Sequence, residues 1–143
     1  MNIYTIGYTQ KTAEQFFGLI KKNNIKLLLD IRLNNKSQIA GFTKRENLPY
    51  FLRELCQCKY EHCLEFAPNE ELYSEKKISW ERYAYDYIML IESRKAYKNF
   101  IDRFADYENI CLLCSESAPD RCHRRLLAEM IIQNNPDTIL THL

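Results

Sequence analysis

Short apolar runs alternate along this chain with segments whose apolar positions recur every three or four residues. That alternation predicts a parallel sheet with helices packed against it. Ile3 to Ile6 reads as a first strand, stopped by Gly7. Thr12-Ala13-Glu14-Gln15 matches a capping box, and Phe16, Leu19 and Ile20 follow it at helical spacing. Ile25 to Ile31 is an apolar run broken only near its end, the pattern of a strand covered on both faces. Asn47-Leu48-Pro49 opens a second helix bearing Phe51, Leu52 and Leu55, and Lys59 to Cys63 forms a third strand. Residues 64 to 78 are polar and contain Pro68, which predicts a long loop. Ser79 then caps a helix carrying Tyr83, Tyr87, Ile88 and Ile91, and a further helix covers Lys95 to Ala105. A fourth strand at Ile110 to Cys114, a helix from Pro119 to Asn134 and a terminal strand at Thr138 to His142 complete the set.

These elements make one three-layer α/β domain over residues 1–143, with a mainly parallel sheet and helices on both faces. With every crossover right-handed, the predicted strand order is 3-2-1-4-5. Direction then reverses between the first and fourth strands, the place where open α/β sheets hold ligands. Gly7-Tyr8-Thr9 faces Cys114-Ser115-Glu116 across that crevice, with Asp30 and Arg32 at the neighbouring strand end.

A chain of 143 residues, 46% hydrophobic and 27% charged, has the make-up of a soluble globular domain with a core of its own. Twenty basic against nineteen acidic residues leave no net field to draw nucleic acid or an anionic membrane. The clusters Lys21-Lys22, Lys76-Lys77 and Arg121 to Arg125 read as solvated faces. No basic-then-apolar leader opens the sequence, and no apolar stretch approaches the roughly 20 residues of a membrane-spanning helix. The chain is expected in the cytoplasm, without a membrane partner and with its six cysteines reduced.

The apolar run that ends at Leu113 gives way abruptly to Cys114, Ser115 and Glu116, and Cys122-His123-Arg124-Arg125 follows eight residues on. A strand-end thiol near the start of the next helix is favoured as thiolate by the helix dipole, and Arg32, Arg124 or a charged His123 would add to that. His123 shares a helix stripe with Leu127, Met130 and Ile131, so it heads the buried face. Glu116 is either an acid–base group or a cap; Asp30 either orients His123 or pairs with Arg32. Cys122 is either core or a resolving thiol for Cys114. Cys111 and Cys114 have the spacing of a zinc knuckle, but residues three apart in a strand point to opposite faces. Cys56, Cys58, His62 and Cys63 are split between a helix and a strand. Neither set implies a metal, and no cofactor is implied.

The segments Tyr4 to Thr9, Leu29-Asp30-Ile31-Arg32 and Leu113-Cys114-Ser115-Glu116 through Cys122-His123-Arg124 resemble the bacterial and archaeal domain of unknown function 488, over nearly the whole chain. Ser37 to Lys44 and the region from His62 to Pro68 are similar to one of its subgroups. The resemblance implies a compact α/β domain with its polar motifs at one end of the sheet. It carries over Gly7, Asp30, Arg32, Cys114, Glu116, Cys122, His123 and Arg124 as motif residues. The chain departs from the family at Tyr8, where the first motif commonly has histidine. Cys56, Cys58, Cys63 and Cys111 fall in no motif of the family. It implies no particular activity.

The residues favour a cysteine-dependent hydrolase or transferase acting on an anionic, phosphate- or nucleotide-like substrate. In this reading Cys114 is the nucleophile, His123 the base or ion-pair partner, and Glu116 or Asp30 the group that orients it. Arg32 and Arg124 hold the anion, and Gly7, Tyr8, Thr9 and Ser115 line its site. No Gly-x-Gly-x-x-Gly and no phosphate-loop motif is present, which argues against a dehydrogenase or a nucleotide triphosphatase. A rival reading is a nucleic-acid or nucleotide binding module, with Tyr8, Phe42, Tyr50 and Tyr73 stacking on bases and Lys44 and Arg45 contacting phosphate. A third is a thiol redox protein using Cys114 and Cys122.

Overall fold

The computed structural model describes residues 1–36, 40–74 and 78–143. The Ser37-Gln38-Ile39 end of the subgroup motif and the Lys76-Lys77 cluster lie outside those residues. Five strands form one sheet: β1 (Asn2–Gly7), β2 (Leu27–Asp30), β3 (Lys59–His62), β4 (Asn109–Cys114) and β5 (Ile139–His142). All the strand pairs are parallel. Between them lie α1 (Ala13–Lys22), α2 (Leu48–Cys56), α3 (Glu70–Ser74), α4 (Trp80–Ser93), α5 (Ala96–Phe104) and α6 (His123–Asn134). No helix among the described residues is long and apolar enough to cross a membrane.

Local signals set most of these boundaries. Thr12 accepts a hydrogen bond from the Gln15 backbone N–H, and the Gln15 side chain accepts one from the Thr12 N–H, so α1 starts on a complete capping box. Its face of Phe16, Phe17 and Ile20 is buried. Ser79 caps α4 through the Arg82 N–H, and α2 stops where Gln57 turns left-handed with φ 50°. Two elements depart from expectation. The stretch read as a loop contains a 3₁₀ turn at Leu64–Phe66 and the short helix α3. The last helix begins at His123 rather than at Pro119, and the loop before it is held by the Arg124 side chain, which donates to the carbonyls of Glu116 and Ser117.

The strand order is 3-2-4-1-5, so β4 and β1 exchange the places predicted for them. Handedness explains the direction of each crossover, and burial explains the exchange. Helices α1 and α2 pack on one face with Ile6, Leu28 and Leu113; α4, α5 and α6 pack on the other with Ile3, Leu29 and Leu112. Chain direction and covered face reverse together, which keeps every crossover of one hand. That rule dictates direction and face, yet not how many positions a crossover spans. The step from β1 to β2 spans two, and β4 fills the gap. All six residues of β4 are buried and so are all four of β2, whereas β3 and β5 have no buried residue and form the edges. The two most apolar strands thus lie side by side at the centre, where both their faces are covered.

Candidate functional site

Central placement puts the end of β4 between two other strand ends. Cys114 is in register with Gly7 of β1, and Leu113 with Asp30 of β2. Chains leaving β1 and β2 turn to one face and the chain leaving β4 turns to the other, which opens a crevice beside Cys114. A cavity of about 500 Å³ occupies it, lined by Tyr8, Arg32, Tyr83, Cys114, Ser115, Glu116, Arg121, Cys122 and His123, with Leu33, Asn34, Pro68 and Tyr73 completing the wall. A second cavity of about 510 Å³ shares Leu33, Asn34 and Tyr73 with it and adds Lys36, Arg45, His62 and Glu70. Together they form one groove along the carboxyl end of the sheet.

At its floor the sulfurs of Cys114 and Cys122 lie 2.7 Å apart. Cys122 ends the loop after β4 as the N-cap residue of α6, and its side chain makes no capping bond. The Cys122 thiol donates to the Cys114 sulfur, and this bond, with help from His123, the Glu116 backbone N–H and Arg124, holds Cys114 well below the usual thiol range despite burial. The same bond, reinforced by burial, pushes Cys122 far up, so it stays a thiol. The other buried cysteines behave oppositely. Burial takes Cys58 and Cys63 up to about 12 and Cys111 well above its ordinary value. Among these buried thiols Cys114 is the one whose surroundings favour the ionised form.

His123 Nε2 lies 2.9 Å from the carbonyl oxygen of Ile31. A carbonyl only accepts, so Nε2 carries the proton and Nδ1 is the nitrogen left for chemistry. The ring packs against Tyr87 with centroids 5.5 Å apart. Tyr87, wholly buried, donates to the Phe66 carbonyl at 2.7 Å, which anchors that packing surface.

Arg124 is 0% exposed and pairs with no carboxylate among the described residues. Its guanidinium donates to the carbonyls of Glu116 and Ser117 and reaches Thr5 Oγ1 at 3.4 Å and the Cys122 sulfur at 4.0 Å. A buried cation favours a nearby anion, and Arg124 is one of the groups that lower the Cys114 pKa. The arginine therefore shapes the loop and stabilises the thiolate; it does not line the cavity. Gly7 also belongs to this loop. A Cβ there would overlap the Glu116 carbonyl and press on Arg124 Nη1 from 2.7 Å, so only glycine lets β1 approach so closely.

Asp30 and Arg32 pair with each other. Asp30 Oδ1 accepts from Arg32 Nε and Oδ2 accepts from Nη2, both at 2.8 Å, with the two side chains 0% and 4% exposed. Tyr60 donates to Oδ2 at 2.7 Å, and Arg32 Nη2 also donates to the Thr43 carbonyl at 2.7 Å. Asp30 thus sits behind Arg32, not against His123. The guanidinium of Arg32, its charge matched by Asp30, lies 5.3 Å from the centre of the Tyr8 ring and presents one edge to the cavity.

The remaining expected positions divide. Ser115 and Glu116 line the cavity, and Thr9 instead ties the two strand ends together through hydrogen bonds from its N–H and hydroxyl to the Ser115 carbonyl. Phe42 packs against Phe16 and Phe17, so it is unavailable for stacking on a base. Sequence reasoning missed Arg121, an exposed cation in the wall with no ion pair among the described residues, because it was grouped with a solvated cluster. It also gave Tyr83 no part in the site, whereas that ring, packed against the core beside Tyr87, stacks on Trp80 at 5.5 Å and lines the cavity. Helical spacing shows that a face is covered, but not that a cavity covers part of it.

Cys114, Cys122 and His123 also bring three metal-binding atoms within 4.8 Å of one another. Zinc bonds of about 2.3 Å at a tetrahedral angle would hold the sulfurs about 3.8 Å apart. The sulfurs are closer than that here, and Arg124 and the positive end of α6 oppose a dication. Charge and spacing favour the thiolate–thiol pair.

A family model described as Domain of unknown function DUF488 matches residues 12–131. No curated protein and no solved structure matches the chain.

Proposed function

The chain belongs to that family of domains of unknown function, and we propose that within it this protein is a cysteine-dependent hydrolase or transferase acting on an anionic, phosphate- or nucleotide-like substrate. The observation that carries this reading is the placement of Cys114 at the floor of an open cavity, 2.7 Å from Cys122 and beside His123, with Arg32 and Arg121 in the same wall and a pKa lowered by its neighbours. Cys114 attacks the phosphoryl or acyl centre, forming a bond from sulfur while the leaving group departs with a proton from His123. Water or an acceptor, deprotonated by His123, then attacks the covalent intermediate and restores the thiolate. Arg121 holds the anion at the cavity wall, and Lys36 and Arg45 in the adjoining cavity extend the cationic groove toward a longer substrate. Arg32 acts chiefly by holding the Tyr8 wall in place, because its own charge is matched by Asp30.

A binding module is the second reading, favoured by the Trp80–Tyr83 stack and the exposed Tyr73 beside the groove. One experiment separates the two. Phosphorylated nucleosides, short oligonucleotides and thioesters are screened at fixed salt with wild type, Cys114→Ala and Arg121→Ala. The enzyme reading expects turnover that Cys114→Ala abolishes while ligand affinity survives. Arg121→Ala should weaken binding by about 1.5–3 kcal/mol, the range for a charge-assisted hydrogen bond. Turnover that persists in Cys114→Ala overturns the nucleophile assignment; ligand binding without turnover in the wild type favours the module.

A further inference from the structure

We propose that Cys114 and Cys122 are a redox dithiol: a hydroperoxide oxidises Cys114, Cys122 resolves the product, and the resulting disulfide switches the site off until a dithiol reductant reopens it. The proposal rests on Cys114 being the activated thiol described above, and it adds a substrate class and a control that catalysis by Cys114 does not require.

The geometry is specific to this pair. The sulfurs are 2.7 Å apart with nothing between them, and a disulfide needs about 2.05 Å, so closure asks for a movement of well under 1 Å. Cys114 is held by the sheet, and the Cys122 side chain, which makes no capping bond at α6, is already turned toward it. Each cysteine is only 2% exposed, yet both line the cavity, which admits a small uncharged oxidant and excludes protein thiols. No other cysteine is so placed: Cys111 and Cys58 pack in the core under α1 and α2, Cys56 packs beside them with its sulfur on the Phe17 carbonyl, and Cys63 packs in the core on the opposite face.

The steps balance. The Cys114 thiolate attacks one peroxide oxygen and the O–O bond breaks. The other oxygen leaves as alkoxide or hydroxide, stabilised by the nearby cations and protonated by His123 or water. Cys114 is now a sulfenic acid. The Cys122 sulfur attacks it, the S–S bond forms, the S–O bond breaks, and the hydroxyl departs as water with the Cys122 proton. Each sulfur gives up one electron, and the peroxide takes both. Because Cys122 is the donor that keeps Cys114 ionised, one side chain both activates the nucleophile and caps it after oxidation.

The test uses the full chain, reduced and then exposed to stoichiometric hydrogen peroxide. The expected result is an intact mass lower by two hydrogens, a peptide linking Cys114 to Cys122, and full reversal by dithiothreitol. Cys122→Ser, which keeps a donor and is checked for folding by circular dichroism, should instead accumulate sulfenic acid at Cys114, trapped by dimedone, and then sulfinic acid; Cys122→Ala, which loses the donor, should reach the same products more slowly. A persistent sulfenic acid at Cys114 in the wild type, or a disulfide through any other cysteine, overturns the proposal. Alkylation of the reduced protein with iodoacetamide keeps the two readings apart. If Cys114 alkylates rapidly yet forms no disulfide, the dithiol is wrong and the nucleophile stands. If Cys114 resists both reagents, both fall.

Discussion

Replacing Asp30 by Asn tests whether the wall of the site is built on a buried ion pair. The carboxylate accepts from the Arg32 backbone N–H at 3.2 Å and from Nε at 2.8 Å on one oxygen, and from Nη2 at 2.8 Å and Tyr60 Oη at 2.7 Å on the other. An amide retains one oxygen, so the first two bonds survive. Its NH₂ group then meets Nη2, a donor facing a donor, while Tyr60 can rotate to accept. Arg32, 4% exposed, keeps a charge with no counter-ion. Removing one partner of a buried pair costs about 3–5 kcal/mol, and the retained bonds argue for the lower half. Against a total stability of about 5–15 kcal/mol the variant still folds. With a urea m-value of about 2 kcal/mol/M, the midpoint should fall by about 1.5–2 M. Adding Arg32→Leu to Asp30→Asn should cost much less than Arg32→Leu alone, because the uncompensated charge is gone. A loss under about 1 kcal/mol, or strict additivity, would refute the reasoning and mean that water or another group solvates Arg32 without Asp30.

Three further outcomes follow from the same geometry. Gly7→Ala must push the loop after β4 off Gly7 and disturb Arg124; a cost of about 1–3 kcal/mol and slower Cys114 alkylation are expected, and urea unfolding indistinguishable from wild type would show that the loop yields freely. The reactive form of Cys114 is the thiolate and its pKa is lowered, so its iodoacetamide rate should hold its plateau as pH falls from about 8.5 to neutrality, and drop only below. A tenfold loss per pH unit across that window would mean an ordinary thiol. His123 is one of the groups that lower the Cys114 pKa, so in His123→Ala the inflection of that profile should move to higher pH; an unchanged profile would exclude His123 from activating Cys114.

Much of the architecture was legible in local patterns. Apolar runs, a capping box and helix-starting residues are decided within a few residues of chain, and they located the strands and main helices together with the family to which residues 12–131 belong. The handedness of crossovers depends on local twist, so it too could be carried from sequence to the direction of each connection. The chemical group at Cys114, Glu116, Cys122 and His123 announced itself by ending an apolar strand.

Tertiary structure decided the rest, because the remaining choices are between partners far apart in the chain. Which strand occupies the centre depends on the total burial of both faces, and β4 displaces β1 there. Asp30 and Arg124 are motif residues whose letters suit catalysis or anion binding equally well. Packing turns Asp30 into the counter-ion of Arg32 and Arg124 into a buried clasp on the loop, with the exposed Arg121 left at the cavity wall. The ionisation of Cys114 belongs to the same category. A thiol's charge is set by the donors and cations within a few ångströms, and those arrive only when β4 and the start of α6 are folded against one another.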